Sequence, residues 1–295
     1  MKKLFLTVAA IFAIAILMTG CPKPAGGDDN IPESRHEVSG KFGTWSAPYE
    51  VGDIVFSDGS ASPYTDTLTL TDAQKAAAIA VIYYKGTGLN SDDSNRIRTL
   101  GVGLKQIHTK WCKDNASAYS RTITPIICTH TGTSPNVSFS GDKNGSDNLK
   151  QIGDFLVSLN GPVNDTIVQN SPVAEEKYPG FYFAKNYKNT ANNLAGTRFE
   201  SGWYVPSIAE LFEMNTCMTD SENGFDLDEA LALCGGNDNR IRGKTFWSSS
   251  DHQYTETLAY YLEFGGTKSS PPVLPKINNY FEKKGDYYFC AIREF

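Results

Sequence analysis

The stretch GWYVPSIAEL, Gly202 to Leu211, holds a strand, a corner and a helix start within ten residues. Trp203 and Val205 alternate with Tyr204 as a strand requires, and Pro206 keeps the residue before it extended. Ser207 then stands where a helix N-cap belongs. Glu210, three residues later, completes a capping box: the Ser207 hydroxyl accepts from the Glu210 amide and the glutamate reaches back. Ile208, Leu211 and Phe212 make the inward face of the helix that follows. Glu210 is therefore read as a cap and not as a catalyst.

Working outward, VGDIVFSDGS (51 to 60) reads as a strand closed by an Asp-Gly turn, and Thr71 with Gln74 has capping-box spacing. IAVIYYKG (79 to 86) is a buried strand by its β-branched and aromatic content, and RTLGVGLK (98 to 105) continues the sheet. SDNLKQIGDFLVSLNGP (146 to 162) predicts a helix with Leu149, Ile152, Phe155, Leu156 and Leu159 on one face, capped by Asp147 and stopped at Asn160-Gly161-Pro162. FDLDEALALCGG (225 to 236) repeats the pattern, with Asp226 and Glu229 at capping-box spacing and two terminal glycines. Residues 106–145 and 160–200 are rich in Ser, Thr, Asn and Gly without periodicity and read as long loops.

The chain of 295 residues begins with Lys2 and Lys3, then fifteen mostly apolar residues, LFLTVAAIFAIAILM, then Thr19-Gly20-Cys21. That is the order of a bacterial lipoprotein signal, residues 1–20, with Cys21 as the lipidated residue; the run is short for a membrane span, which needs about 20 residues. Two or more acyl chains suffice for stable anchoring, so the expectation is a protein tethered to the outer membrane, at the cell surface. PKPAGGDDNIPESRHE follows, and residues 21–45 read as a flexible tether before a domain at 46–295. Removing residues 1–20 takes away two lysines, leaving 25 basic against 33 acidic side chains, a formal charge of −8. No basic stripe interrupts this, which argues against a nucleic-acid partner. Besides Cys21 there remain Cys112, Cys128, Cys217, Cys234 and Cys290, an odd number without CxxC spacing, and the four histidines are scattered, so no zinc site is expected.

The strand, proline and capped-helix unit resembles the R-L-P-x-x-x-E-W-E segment of the formylglycine-generating-enzyme branch of the C-type lectin fold, and the G-W-x-L-P-S-x-x-E-L segment of bacterial relatives. FWSSS (246 to 250), AYYLEF (259 to 264) and YYFCAIREF (287 to 295) resemble the three strands that close such domains. The resemblance implies an α+β domain, short helices around small antiparallel sheets. With the lipoprotein anchor and the AIREF ending, the chain also resembles the Treponema variable protein family of surface lipoproteins, diversified by a retroelement. That resemblance implies a variable ligand-binding region at 245–295.

Within it, Asp251, His252, Gln253, Tyr254, Thr255, Glu256 and Thr257 form a polar stretch between two aromatic strands, explained equally by a plain hairpin loop or by a display surface of antibody-loop composition. Tyr260 and Glu263 on the next strand, and Thr267, Lys268, Asn278, Asn279 and Tyr280 in the long proline-rich connection after it, complete the candidate ligand-binding set. An enzyme reading lacks its reactive group: the resembling oxidase needs a cysteine pair for copper, and Cys290 stands alone, 56 residues after Cys234. Nucleophile-elbow, P-loop and H-E-x-x-H motifs are missing, as are the E-P-N or Q-P-D triplets of calcium-dependent sugar binding. The expectation is a monomeric, non-catalytic binding protein without cofactor or metal, whose ligand is a protein.

Overall fold

The computed structural model describes residues 35–39, 41–92, 94–133, 136–159, 172–219, 225–265 and 280–295. The expected signal, Cys21 and most of the expected tether, together with Thr267, Lys268, Asn278 and Asn279, lie outside the described residues.

The architecture is mixed α+β, built on a mostly antiparallel sheet with short helices. The strands are β1 (Asp53–Phe56), β2 (Ala61–Pro63), β3 (Ala78–Gly86), β4 (Arg98–Lys110), β5 (Cys128–Thr133), β6 (Asn136–Gly141), β7 (Trp203–Tyr204), β8 (Thr245–Asp251), β9 (Leu258–Glu263), β10 (Tyr280–Glu282) and β11 (Asp286–Glu294). The helices are α1 (Asp72–Ala77), α2 (Asn148–Ser158), α3 (Pro172–Lys177), α4 (Pro179–Lys185), α5 (Ile208–Thr219) and α6 (Leu227–Gly235). Nine strands form one sheet in the order β10-β9-β8-β11-β4-β3-β1-β2, with β7 also on β11, and β5 with β6 form a separate hairpin. The expectation of several small sheets thus gives way to one large one. Its two halves meet at β11, which pairs antiparallel with β4 and in parallel with β8.

The central strands of this sheet are buried on both faces, and strand alternation sorts their residues between two cores. Phe246, Tyr260, Leu262, Cys290 and Ile292 face a first core closed by Ile208, Leu211 and Met214 of α5 and Leu227, Ala230 and Leu231 of α6. Trp247, Ala259, Phe289 and Ala291 face a second, closed by Ile152 and Leu156 of α2 and Phe181 and Ala184 of α4.

The corner at Pro206 forms as its residues dictate. The Glu210 amide donates to Ser207 Oγ (3.1 Å) and the Ser207 amide to Glu210 Oε2 (2.8 Å), the reciprocal capping box. Glu210 is wholly buried, and so is Arg98 of β4, whose Nη2 donates to Glu210 Oε1 (2.9 Å) and to the Tyr204 hydroxyl (2.7 Å). The Gly145 amide gives the carboxylate a further bond at 3.0 Å. One glutamate thereby ties α5 to β4, β7 and the approach to α2. The serines of β8 reinforce the same corner: Ser250 Oγ accepts from the Ile208 amide and the Ser249 amide donates to Pro206 O.

Three local expectations change. Asp147 precedes α2 without making a side-chain cap; Asn144 caps the 3₁₀ turn just before it instead. The segment 106–145 extends β4 to Lys110 and contains the β5–β6 hairpin, and 160–200 contains α3 and α4. Ordered packing starts by residue 35, within the segment read as tether: Arg35 pairs with buried Asp53 at 2.7 Å and its guanidinium lies over Trp45, which bridges Ala61.

Candidate functional site

The polar stretch between β8 and β9 rests on a buried ion pair. Asp251 ends β8, and its Oδ1 lies 2.9 Å from Lys283 Nζ, with both side chains fully enclosed. Lys283 enters from the β10–β11 turn and donates to the carbonyls of Ala118 (3.1 Å), Arg121 (2.8 Å) and Glu256 (2.8 Å), above the ring of Trp111. Asp251 accepts from the amides of Ile123 (2.6 Å) and His252 (2.9 Å). Burial pushes its carboxyl up to about 6, against the opposing pull of Lys283.

His252 is buried next to this pair, and its Nδ1 accepts from the amides of Tyr254 (3.3 Å) and Thr255 (3.1 Å), which coils the loop back over the ring. That geometry requires the neutral imidazole. Burial, and then the charge of Lys283, hold the ring below the usual histidine range. Around it stand Tyr280 (centroids 4.4 Å apart), Tyr260 (5.5 Å) and Tyr254 (6.0 Å).

The expected site residues consequently divide into a base and an exposed rim. Asp251, His252 and Tyr260 are buried, because their side chains satisfy Lys283, the loop amides and the first core. They support the loop and do not offer contact surface, which corrects the expectation that the whole stretch is displayed. Gln253 and Thr257 are half-buried, whereas Tyr254 (81% exposed), Thr255 and Glu256 face solvent, joined by Tyr280 (47% exposed) on the edge strand β10. Glu263 is exposed too, but it has the strand parity of Tyr261, opposite that of Tyr260, so it belongs to the other sheet face.

Lys283 and Trp111 were not legible as parts of this site. A lysine flanked by Glu282 and Lys284 reads as one more surface charge, and Trp111 lies far away in the chain. The aromatic content of β9 and β10 was the available signal, since a ring cluster needs a floor.

Three described thiols are held away from nucleophilic form. Cys128, Cys234 and Cys290 are buried thiols, and burial pushes each of them up to about 12, far from the thiolate form. Among the described residues no cluster of three or more His, Cys, Asp or Glu side chains could hold a metal ion, and no helix is long and apolar enough to cross a membrane.

No family model and no curated protein matches the chain. Among solved structures it is similar to a fimbrial protein from Bacteroides ovatus ATCC 8483, with a TM-score of 0.52 and 15% identity over 84% of this chain. The match spans about half, 49%, of that protein's length. At this identity the likeness concerns the fold.

Proposed function

We propose that this chain is a lipid-anchored protein of the bacterial outer membrane, displayed at the cell surface, that binds a protein ligand without catalysis. In this reading the scaffold is a C-type lectin fold of the formylglycine-generating-enzyme branch, and the contact surface is the rim formed by Gln253, Tyr254, Thr255, Glu256, Thr257 and Tyr280. The observation that carries it is the exposed Tyr254 held over a buried base of His252, Asp251 and Lys283. Tyrosine offers a large contact area at low entropic cost, and here the backbone that presents it is already ordered. The buried thiols support the non-catalytic half of the reading. The likeness to a fimbrial protein supports an extracellular address.

The test is to sequence codons 245–295 across a cell population and search the neighbouring DNA for a near-copy. Changes concentrated at Gln253–Thr257 and Tyr280, sparing Trp247, Asp251, His252 and Lys283, would establish a diversified receptor. A uniform stretch without a copy would remove the variable-receptor reading.

A further inference from the structure

The sheet face opposite His252 carries a second aromatic surface, separate from the 251–257 loop. Tyr261 of β9 and Tyr287 of β11 stand 5.0 Å apart between centroids, and Phe281 of β10 packs on Tyr287 at 5.5 Å. Their floor is the fully buried Trp247, 5.1 Å from Tyr287 and 6.1 Å from Tyr261, whose Nε1 donates to Gly285 O. Gly285 is needed there: a Cβ at that position would lie 2.6 Å from the Phe281 ring, so glycine lets the ring rest on the β10–β11 turn. Phe281 remains 46% exposed, and Tyr261 and Tyr287 are half-buried.

At the margin stands Glu263, exposed, on the same side of β9 as Tyr261. After burial, its charge is the next cause raising the Tyr287 phenol. Among the described residues no cation pairs with Glu263. The nearby Lys284 is engaged elsewhere, with Glu282 at 3.0 Å and over the ring of Tyr119.

Ring faces carry negative electrostatic potential, and a carboxylate two residues from Tyr261 on the same side of β9 adds to it. The complement is a cation with a flat, weakly hydrated surface, which describes a guanidinium better than an ammonium. The molecule already contains a filled version of the same arrangement: Lys283 Nζ lies 5.0 Å over the Trp111 ring and 2.9 Å from Asp251. The chain's formal charge of −6 favours encounter with a basic partner over an acidic one. We propose that Tyr261, Phe281, Tyr287 and Glu263 form a docking site for an arginine-bearing segment of a partner protein. It goes beyond the display loop and uses none of its residues.

The experiment uses the chain without residues 1–20 and four blocked hexapeptides that alternate glycine with arginine, lysine, citrulline or glutamate, followed by fluorescence anisotropy of a labelled peptide. The arginine peptide should bind saturably and more tightly than its neutral citrulline isostere. Raising salt from about 50 to 500 mM should weaken it, because the charges are exposed. Glu263→Gln and Phe281→Ser should each reduce affinity about two- to fivefold, the range expected of exposed cation–π contacts. Tyr254→Ala should leave it unchanged. Glu263→Gln alters only an exposed side chain, so it remains informative if Phe281→Ser unfolds. Equal binding of the citrulline peptide, or an unaltered affinity in Glu263→Gln, would overturn the proposal, and loss of binding in Tyr254→Ala would move the peptide to the other face. None of these outcomes depends on whether codons 245–295 vary.

Discussion

Lys283 is a charged side chain with no exposed surface, and Asp251 and three carbonyls account for it. Replacing it with methionine keeps the bulk but leaves Asp251 without its counter-charge, which typically costs about 3–5 kcal/mol. We expect Lys283→Met to lose that much stability in urea denaturation at pH 7.5. The deficit should shrink at pH 5, where Asp251, pushed up to about 6, takes up a proton and no longer needs the partner. Tyr254→Ala, three residues from the buried pair, removes only exposed surface and should shift stability by less than about 0.5 kcal/mol. A comparable loss in both variants would mean that the division into buried base and exposed rim is wrong. Arg98 and Glu210 repeat this design at the other end of the sheet, with Tyr204 as the third member of a buried network.

Among the elements, α4 shows how closely a short helix can be fitted to the sheet. Pro179 opens it with a preset φ, and Gly180 lets it settle on Phe289 of β11: a Cβ there would lie 2.2 Å from the ring. Gly180→Ala should therefore destabilise the protein by about 1–3 kcal/mol, although alanine is the better helix former. A thermal melt at or above that of the parent would contradict the packing described. The same helix marks the limit of reading elements from sequence. Seven residues, PGFYFAK, are too few to display a period, and their apolar content looks like loop composition amid Asn and Thr. β5 and β6 escaped for a related reason: CTHTGT is polar after Cys128, and the alternation in NVSFSG rests on Val137 and Phe139 alone, too short a run amid Ser, Thr and Asn to announce a strand. Where local chemistry is self-sufficient, as at Thr71 with Gln74, Ser207 with Glu210 or Asp226 before α6, the expected caps form. Asp147 failed because Asn144, three residues upstream, caps a preceding 3₁₀ turn and moves the helix entrance.

At the scale of the molecule, three enclosed aspartates and Glu213, which burial pushes up to about 7, set the pH response. Asp53, Asp142 and Asp251 are each pushed up to about 6, burial being the main cause in every case. Unfolded aspartates titrate near 3.9, so between about pH 4 and 6 the folded state binds protons that the unfolded chain does not. Their contribution is fully present below pH 4 and is lost as pH rises through 6. His252, held low, acts in the opposite direction on acidification, and Asp58, whose bonds to Ser60 lower it, withdraws support at still lower pH. These four carboxyls outweigh one histidine between pH 7.5 and 5, so the melting temperature should climb by several degrees over that interval at constant ionic strength and fall again below about pH 4. A melting temperature that falls steadily from pH 7.5 to 5 would show that these carboxylates are better solvated than the fold implies. The start of the folded unit belongs to this scale too. Polar composition suggested tether up to residue 45, yet Arg35 finds its partner in Asp53, and a contact of that range has no local signature.

β11 lies between β4 and β8 in space, but it follows every other strand along the chain. A ribosome must therefore complete β1 to β10 before the keystone of the sheet is available. Until then β1–β4 and β8–β10 are two unfinished edges with no strand in common. Closure of the sheet is therefore a late step, timed by where β11 stands in the sequence and not by its central place in space.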